Sequence, residues 1–236
     1  MLRLGIKIKL MILVMAVALP LFAASLYHEL EELNRARSAA QKWTLHQAHM
    51  ISADVDTFLN GGEQILIALS ENPAIKDQDW ERCKAILSSL KMKYPYYENI
   101  FAIDREGWIH CSAVKQDKPA YAGDRSYFQK VMKSGRFTLG DVQIGRITKK
   151  PVVVIAYPVR DSSGSQIGMV GSAVSLLRLQ ELFNHLELTG NAAVTLLDRK
   201  GRIIASTAEP ETDVLKDVSE ESWFKEIVKN GSGIFE

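Results

Sequence analysis

Residues 99–113 read NIFAIDREGWIHCSA, in which two largely apolar runs flank an Asp-Arg-Glu-Gly turn. This pattern is typical of a β-hairpin, because the apolar runs suit strands and the turn residues tolerate a tight backbone. The same pattern recurs in residues 193–207, which read AVTLLDRKGRIIAST. The second occurrence indicates that the chain contains an internal repeat.

A helical segment that begins with two aromatic residues follows each hairpin at a similar distance. It reads YFQKVMKSG at residues 127–135 and WFKEIVKNG at residues 223–231. Hairpin and helix therefore recur together, which predicts two modules in tandem. Many residues follow the first helical segment and few follow the second, so we expect the second module to be incomplete within these 236 residues.

The elements predicted for the first module describe an α+β fold with an antiparallel sheet. A helix at Ser126–Ser134 interrupts the strands, and another from Leu176 to about Leu186 follows them. Turn signals at residues 104–107 and 161–164 join neighbouring strands into hairpins. The strands are predicted at Asn99–Asp104, Trp108–Ala113, Phe137–Ile144, Lys150–Arg160 and Ile167–Leu176.

The N-terminus has the pattern of a membrane anchor. Residues 10–27 form an uncharged run of 18 residues, close to the roughly 20 that a helix needs to cross a bilayer. Basic residues precede the run and acidic residues follow it, which places residues 1–9 in the cytoplasm and the remainder outside. A cleaved signal peptide is the alternative, since Ala23, Ala24 and Ser25 suit a peptidase. Either interpretation exports the body of the protein.

A long helix is predicted to leave the membrane over residues 28–75. Apolar residues from Ala48 to Leu69 recur at a three-four spacing, which forms an a/d seam. This seam would pack on a folded domain or on a second copy of the helix, and we expect a homodimer through the long helix. A proline at Asn72–Pro73 ends the helix, and Asp77 or Asp79 caps a shorter helix that follows.

Cys83 and Cys111 are the only cysteines, one on the shorter helix and one in the first hairpin. In an exported protein an even pair favours a disulfide. Two independent buried thiols are the alternative. The disulfide would close a loop of about 28 residues and would stabilise the fold by roughly 3 kcal/mol.

Composition and motifs argue against several functional classes. A net charge of +1 disfavours a nucleic-acid binder. The chain contains no Gly-x-Ser-x-Gly, Walker or dinucleotide motif, so we expect neither enzymatic activity nor a cofactor. His46 and His49 share a helix face, but a solvated polar face is favoured there over a metal site because no acidic or thiol ligand is nearby.

The segment at residues 121–128, which reads YAGDRSYF, has the residue types of a small-molecule site. Arg125 offers a planar fork suited to a carboxylate. Tyr121 and Tyr127 offer hydroxyl groups on apolar rings. In the structural alternative Asp124 caps the helix, Arg125 pairs with a local acid, and the aromatic rings belong to the core.

Two residues further along the chain are additional candidate contacts. Tyr157 lies on a predicted strand that sends Val153, Ile155 and Tyr157 to one face. Asp141 is a possible second polar contact to the ligand. We expect both side chains to lie near Arg125.

These elements, in this order, resemble the double Cache (dCache) sensor domains of bacterial transmembrane receptors. The resemblance covers residues 27–236 and is carried by Asp-Arg-x-Tyr-Phe at residues 124–128 and by Pro-Val and Tyr-Pro-Val within residues 151–159. It implies two PAS-like modules on one long helix, of which the membrane-distal module binds small ligands. The distal module would span residues 76–186, and residues 187–236 would begin the membrane-proximal module.

One subgroup of that family binds amino acids through a tyrosine, an arginine, an aromatic pair and a later aspartate that holds the ligand amine. Arg125, Tyr127 and Phe128 match this pattern, and Tyr121 matches with the spacing shortened by one. Ala173 stands where the aspartate is expected. The resemblance therefore implies a carboxylate-bearing organic acid, or another small anion, instead of an α-amino acid.

Together these features predict the periplasmic sensor region of an inner-membrane signalling receptor. Its output domain, a histidine kinase, a diguanylate cyclase or a chemoreceptor module, would lie outside this chain. The alternative is a periplasmic partner-binding or structural module without a metabolite ligand. A buried polar pocket around Arg125 would favour the sensor, and an exposed apolar patch would favour the alternative.

Overall fold

The computed structural model of the chain describes residues 6–184, 193–208 and 214–231. Two compact units can be distinguished, residues 1–51 and residues 52–236. In chain order the elements are α1 (Ile6–Ser70), α2 (Pro73–Lys76), α3 (Trp80–Lys93), β1 (Tyr97–Asp104), β2 (Trp108–Ser112), β3 (Ala120–Tyr121), α4 (Ser126–Ser134), β4 (Thr138–Leu139), β5 (Gln143–Ile144), β6 (Pro151–Arg160), β7 (Gln166–Ser175), α5 (Leu176–Asn184), β8 (Thr195–Leu197), β9 (Ile203–Ser206) and α6 (Ser222–Asn230).

The first unit is helical, and its helix is the N-terminal part of α1. Within the described part of the chain, no helix combines the length and the apolar character that a bilayer crossing requires. Part of the predicted span, residues 10–27, has side chains that lie outside the described residues. The membrane anchor therefore stays a prediction.

A seven-stranded antiparallel sheet forms the centre of the second unit, in the order β3-β2-β1-β7-β6-β4, with β5 also paired to β6. The first predicted turn joins β1 to β2. There the Asp104 carboxylate accepts a hydrogen bond from the backbone N–H of Trp108 at 2.8 Å, and Gly107 adopts a φ of 98° that favours glycine. The predicted α+β fold with an antiparallel sheet is confirmed.

Both faces of this sheet are apolar, and they bury different clusters of side chains. Along β6 the odd-numbered Val153 and Ile155 pack with α1 and α3. The even-numbered Val152 and Val154 pack with α4 on the opposite face. This alternation follows from the two-residue period of a strand. Helices therefore cover the sheet on both sides.

The distal part of α1 approaches the sheet closely at Gly62. A Cβ atom at this position would collide with the side chain of Ile155 on β6. Phe58, Ile65 and Leu69, which belong to the predicted seam, pack against the same core cluster. This part of the seam thus packs on the folded domain.

The disulfide predicted from the sequence joins α3 to β2. Asp79 caps α3, since its carboxylate accepts a hydrogen bond from the backbone N–H of Arg82 at 3.1 Å. Asp77 instead follows the last residue of α2. Cys83 and Cys111 are both fully buried and are bonded to each other, with their Cα atoms 6.1 Å apart.

Two strand predictions differ from the structure. The predicted strand over residues 137–144 is divided into β4 and β5, because the chain leaves the ladder between them after Gly140 pairs with Val154. The two-residue strand β3 was not predicted, because a strand this short carries no alternation of apolar and polar residues. The end of the predicted helix, residues 185–186, lies outside the described residues.

The second copy of the repeat forms its own two-stranded antiparallel sheet, β8 with β9. Asp198 repeats the role of Asp104, since its carboxylate accepts a hydrogen bond from the backbone N–H of Arg202 at 3.0 Å. The backbone carbonyl of Gly201 accepts from Val218 at 2.8 Å, as that of Gly107 accepts from Ala122 at 2.7 Å. Hairpin and following helix are therefore held together in the same way in both copies.

Removing the disulfide is expected to destabilise the domain. Replacing both cysteines by alanine in a Cys83→Ala/Cys111→Ala variant releases a loop of about 28 residues in the unfolded chain, which should cost roughly 3 kcal/mol. Urea denaturation should show this loss as a lower midpoint. A reductant should lower the midpoint of the wild type and leave that of the variant unchanged. A wild type that is equally stable with and without reductant would contradict the structural role of the bond.

Candidate functional site

A small cavity lies on the α4 side of the sheet, and we call it the Arg125 cavity. Its volume is about 30 Å³, which is far below the roughly 300–1,000 Å³ of typical ligand pockets. A ligand larger than water therefore has to displace side chains of the wall. Its walls consist of Asn99, Phe101, Ile109, Arg125, Tyr127, Gln143, Gly145, Arg146, Ile147, Thr148, Val152, Val154 and Ala173.

Arg125 occupies the N-cap position of α4 and makes no side-chain capping bond. Its Nη1 donates to the side-chain oxygen of Gln143 at 3.0 Å, and its Nη2 makes a longer contact of 3.4 Å to the backbone carbonyl of Ile144. Among the described residues no carboxylate lies within ion-pair distance of this guanidinium. Arg125 is therefore held by neutral acceptors, and the predicted alternative, in which it pairs with a local acid, is wrong.

Tyr127 contributes a buried phenol to the same wall. Its ring packs against Phe101 with the centroids 6.1 Å apart, and only 4% of the residue is exposed. Burial raises the pKa of Tyr127 to about 12, although the charges of Arg125 and Arg146 act in the opposite direction. The hydroxyl therefore stays protonated at neutral pH and can donate a hydrogen bond.

Arg146 is a site residue that sequence reasoning missed. It follows β5 in the loop that leads to β6, and its two Nη atoms bond the carboxylate oxygens of Asp124 at 3.0 and 2.8 Å. It also donates to the backbone carbonyl of Tyr121. These bonds to Arg146 hold the pKa of Asp124 below its ordinary value. The N-cap residue of α4 is Arg125 and, among the described residues, no side chain makes a capping bond there, so the predicted alternative in which Asp124 caps the helix is also wrong.

Neutral polar groups complete the wall. The amide oxygen of the buried Asn99 accepts hydrogen bonds from the Ser112 hydroxyl at 3.1 Å and from the Val114 N–H at 3.2 Å. This fixes the side chain of Asn99 and leaves its N–H groups as donors. The Thr148 hydroxyl is buried and lacks a hydrogen-bond partner among the described residues. An unpaired buried hydroxyl costs stability, typically about 1–3 kcal/mol, and such groups mark places where a further partner fits.

The charged side chains that line the Arg125 cavity are both positive. Its wall includes two arginines and, within the described part of the chain, no acidic residue. Ala173 belongs to this wall and is 96% buried, because only 4% of it is exposed. The position where the resemblance expects an aspartate is therefore at the site and carries a methyl group. Such a cavity favours an anion and disfavours an ammonium group.

Three of the predicted site residues lie outside this wall. Tyr157 lies on the opposite face of β6 with Val153 and Ile155, so it packs with the α1 side and not with Arg125. The predicted grouping of these three side chains is correct, but the face is wrong. Tyr121 is 43% exposed, and its ring contacts Trp108 at a centroid distance of 5.2 Å.

Asp141 also lies away from Arg125, in a wider cleft between α4 and the β8–β9 hairpin. Its carboxylate accepts from Lys130 of α4 at 3.1 Å and from Lys200 of the second hairpin at 2.7 Å. Burial raises the pKa of Asp141, but the bonds from Lys200, Lys130 and Ser126 outweigh this and lower it to about 2. Asp141 therefore links α4 to the second hairpin and does not contact the cavity.

The chain belongs to the Cache domain family, since the dCache_1 family model, Cache domain, matches residues 32–236. Domains of this family are extracytoplasmic, non-catalytic ligand-binding domains of membrane receptors.

Solved structures of three chemoreceptor ligand-binding domains are similar in fold. That of CtaA from Pseudomonas fluorescens, in complex with L-serine, is 20% identical with a TM-score of 0.57 over 76% of this chain and 78% of its own. That of PctB from Pseudomonas aeruginosa, in complex with L-Arg, is 23% identical with a TM-score of 0.56 over 70% and 69%. That of Tlp3 from Campylobacter jejuni, in complex with 4-methylisoleucine, is 17% identical with a TM-score of 0.55 over 68% and 68%.

The ionised form of Asp141 is expected to stabilise the domain in a pH-dependent way. Because its folded pKa is depressed, the contribution is present above the ordinary value of 3.8 and is lost as the pH falls towards about 2. Both lysines are at least half exposed, so screening reduces the contribution to roughly 1 kcal/mol.

The test is chemical denaturation of the wild type and Asp141→Asn between pH 3 and pH 7. The stability difference should be largest near neutral pH and should shrink towards pH 3. Asp117→Asn is the matched control, because Asp117 is exposed and makes no ion pair with a described residue. A difference between wild type and Asp141→Asn that does not vary with pH would show that Asp141 acts without its charge.

Proposed function

We propose that this chain is the extracytoplasmic sensor region of a transmembrane signalling receptor and that it binds a small carboxylate-bearing molecule in the Arg125 cavity. The observation that carries this proposal is an arginine without an acidic partner among the described residues, in a wall that holds no acid. A buried polar pocket around Arg125 is the feature that favours a metabolite sensor over a partner-binding module.

Arg125 is suited to be the anchor for the ligand carboxylate. Its present partners, the Gln143 amide and the Ile144 carbonyl, are neutral, so a carboxylate would replace them with stronger charge-assisted bonds. The side chain also stands at the N-terminus of α4, where the helix dipole favours negative charge. Tyr127 and Asn99 can donate further hydrogen bonds to the same ligand.

The wall favours an organic acid over an α-amino acid. The ammonium group of an amino acid needs an acceptor or an anion, and the wall offers Ala173 where the amino-acid-binding subgroup has an aspartate. The charge of Arg125, which no carboxylate of the described residues neutralises, would also repel the ammonium group. CtaA and PctB were solved in complex with amino acids. For this chain the charges of the wall support a different ligand class within the same fold.

The finer architecture belongs to the same proposal. Residues 1–9 form a cytoplasmic tail, residues 10–27 an inner-membrane anchor and residues 28–75 a stalk helix through which two copies dimerise. Residues 76–186 form the membrane-distal module in the periplasm, and residues 187–236 begin a membrane-proximal one. A histidine-kinase, diguanylate-cyclase or chemoreceptor output would lie outside this chain. The ligand would shift the equilibrium between two arrangements through its different affinity for them.

A thermal-shift screen of the full chain in detergent would test the ligand class. The panel should include monocarboxylates, dicarboxylates and α-amino acids. A ligand present at 100 times its Kd adds about 2.7 kcal/mol to the stability of the folded state. We expect stabilisation by organic acids and not by α-amino acids. Stabilisation by α-amino acids alone would contradict the proposed ligand class.

Replacing Arg125 by alanine should weaken binding of the best acid from that panel. The lost charge-assisted bond is worth roughly 1.5–3 kcal/mol, which corresponds to about ten- to a hundredfold in Kd. Calorimetric titration of wild type and Arg125→Ala measures this change. Arg105→Ala is the matched control, because Arg105 is exposed in the β1–β2 turn. Equal affinities of wild type and Arg125→Ala would exclude Arg125 as the anchor.

A further inference from the structure

Arg146 shares the wall of the Arg125 cavity, but its charge is committed to Asp124. The two residues differ in location, since Arg146 lines the cavity and Asp124 does not. The side chain of Asp124 is 54% exposed, whereas that of Arg146 is 33% exposed. The ion pair therefore lies at the edge of the cavity, with the acid on the solvent side.

Another carboxylate can replace Asp124 in this ion pair at little cost in free energy. Exposed ion pairs contribute little to stability, because both partners are well solvated when they separate. In the bidentate geometry the two Nη atoms of Arg146 donate to both oxygens of the Asp124 carboxylate at 3.0 and 2.8 Å, so this guanidinium can bind a carboxylate through both of its oxygens. A bond from Arg146 to the backbone carbonyl of Tyr121 does not depend on Asp124 and would hold the guanidinium near the mouth during an exchange.

We infer that the site selects dicarboxylates: one ligand carboxylate binds Arg125, and the second replaces Asp124 on Arg146. In this arrangement Asp124 acts as an internal competitor for the second carboxylate. A ligand with one carboxylate leaves the Arg146–Asp124 pair intact and gains a single charge-assisted anchor. A ligand with two carboxylates gains both, in a wall that otherwise offers the neutral donors Asn99, Tyr127 and Thr148. This inference rests on the proposed function, since it presupposes Arg125 as the first anchor.

The test compares diacids with their own monoesters on the full chain. Malonate, succinate and glutarate are titrated calorimetrically beside their monomethyl esters, so each pair differs chiefly by one charge. At least one diacid should bind ten times or more tighter than its ester. Arg146→Gln should weaken that diacid about ten- to a hundredfold and weaken the ester by a distinctly smaller factor. Asp124→Asn should strengthen the diacid severalfold, a direction that a folding defect cannot produce.

The outcomes separate this inference from the proposed function. If an ester binds in a manner that depends on Arg125, while no diacid is preferred or Arg146→Gln weakens both ligands equally, only the dicarboxylate inference is overturned. If neither ligand form depends on Arg125, the proposed function fails as well. Inorganic phosphate is a further arm: binding of phosphate that needs both arginines would assign the site to a compact dianion and overturn the dicarboxylate.

Discussion

The alternation of side chains along β6 and β7 is the constraint on which the rest of this domain depends. Both strands are apolar on both faces, so neither face can be left in water, and each recruits its own cover. One face takes α1 and α3, and the other takes α4 and the loop that carries Arg146. Neighbouring residues consequently face opposite sides: Val154 lines the Arg125 cavity, and Ile155 contacts the long helix at Gly62.

The two copies of the repeat share the same backbone hydrogen bonds but differ in the charge of one helix N-cap residue. In each copy the carboxylate of an aspartate accepts a backbone hydrogen bond in the turn. In each copy the carbonyl of the turn glycine also accepts a hydrogen bond from a backbone N–H just before the following helix. The N-cap residue of that helix is Arg125 in the first copy and Glu221 in the second. The second copy therefore preserves the backbone bonds of the first but places a carboxylate where the first has a guanidinium.

The fold was accessible from the sequence because its signals are local. Turn residues, apolar runs and the helix after each hairpin lie within short segments, and Arg125 and Tyr127 were found for the same reason. The face assigned to Tyr157 was wrong. In a continuous apolar run such as β6, the sequence does not reveal whether the odd-numbered or the even-numbered residues face the cavity. Arg146 and Thr148 were missed because they reach the cavity through a loop, and only the folded chain brings them beside Arg125.

The position of α4 ties the cavity to the remainder of the chain. Its N-cap residue, Arg125, lies in the cavity wall, and Lys130, little more than one turn later, bonds Asp141. The same carboxylate bonds Lys200 in the turn of the second hairpin. A ligand that displaced Arg125 from Gln143 would therefore act on a helix that is already bonded, through one shared carboxylate, to the second copy of the repeat. The coupling between them can be no larger than the difference in ligand affinity between the two arrangements of α4. An anchor at the N-cap residue of α4 would place the proposed ligand contact on the same segment of chain that bonds Asp141 through Lys130.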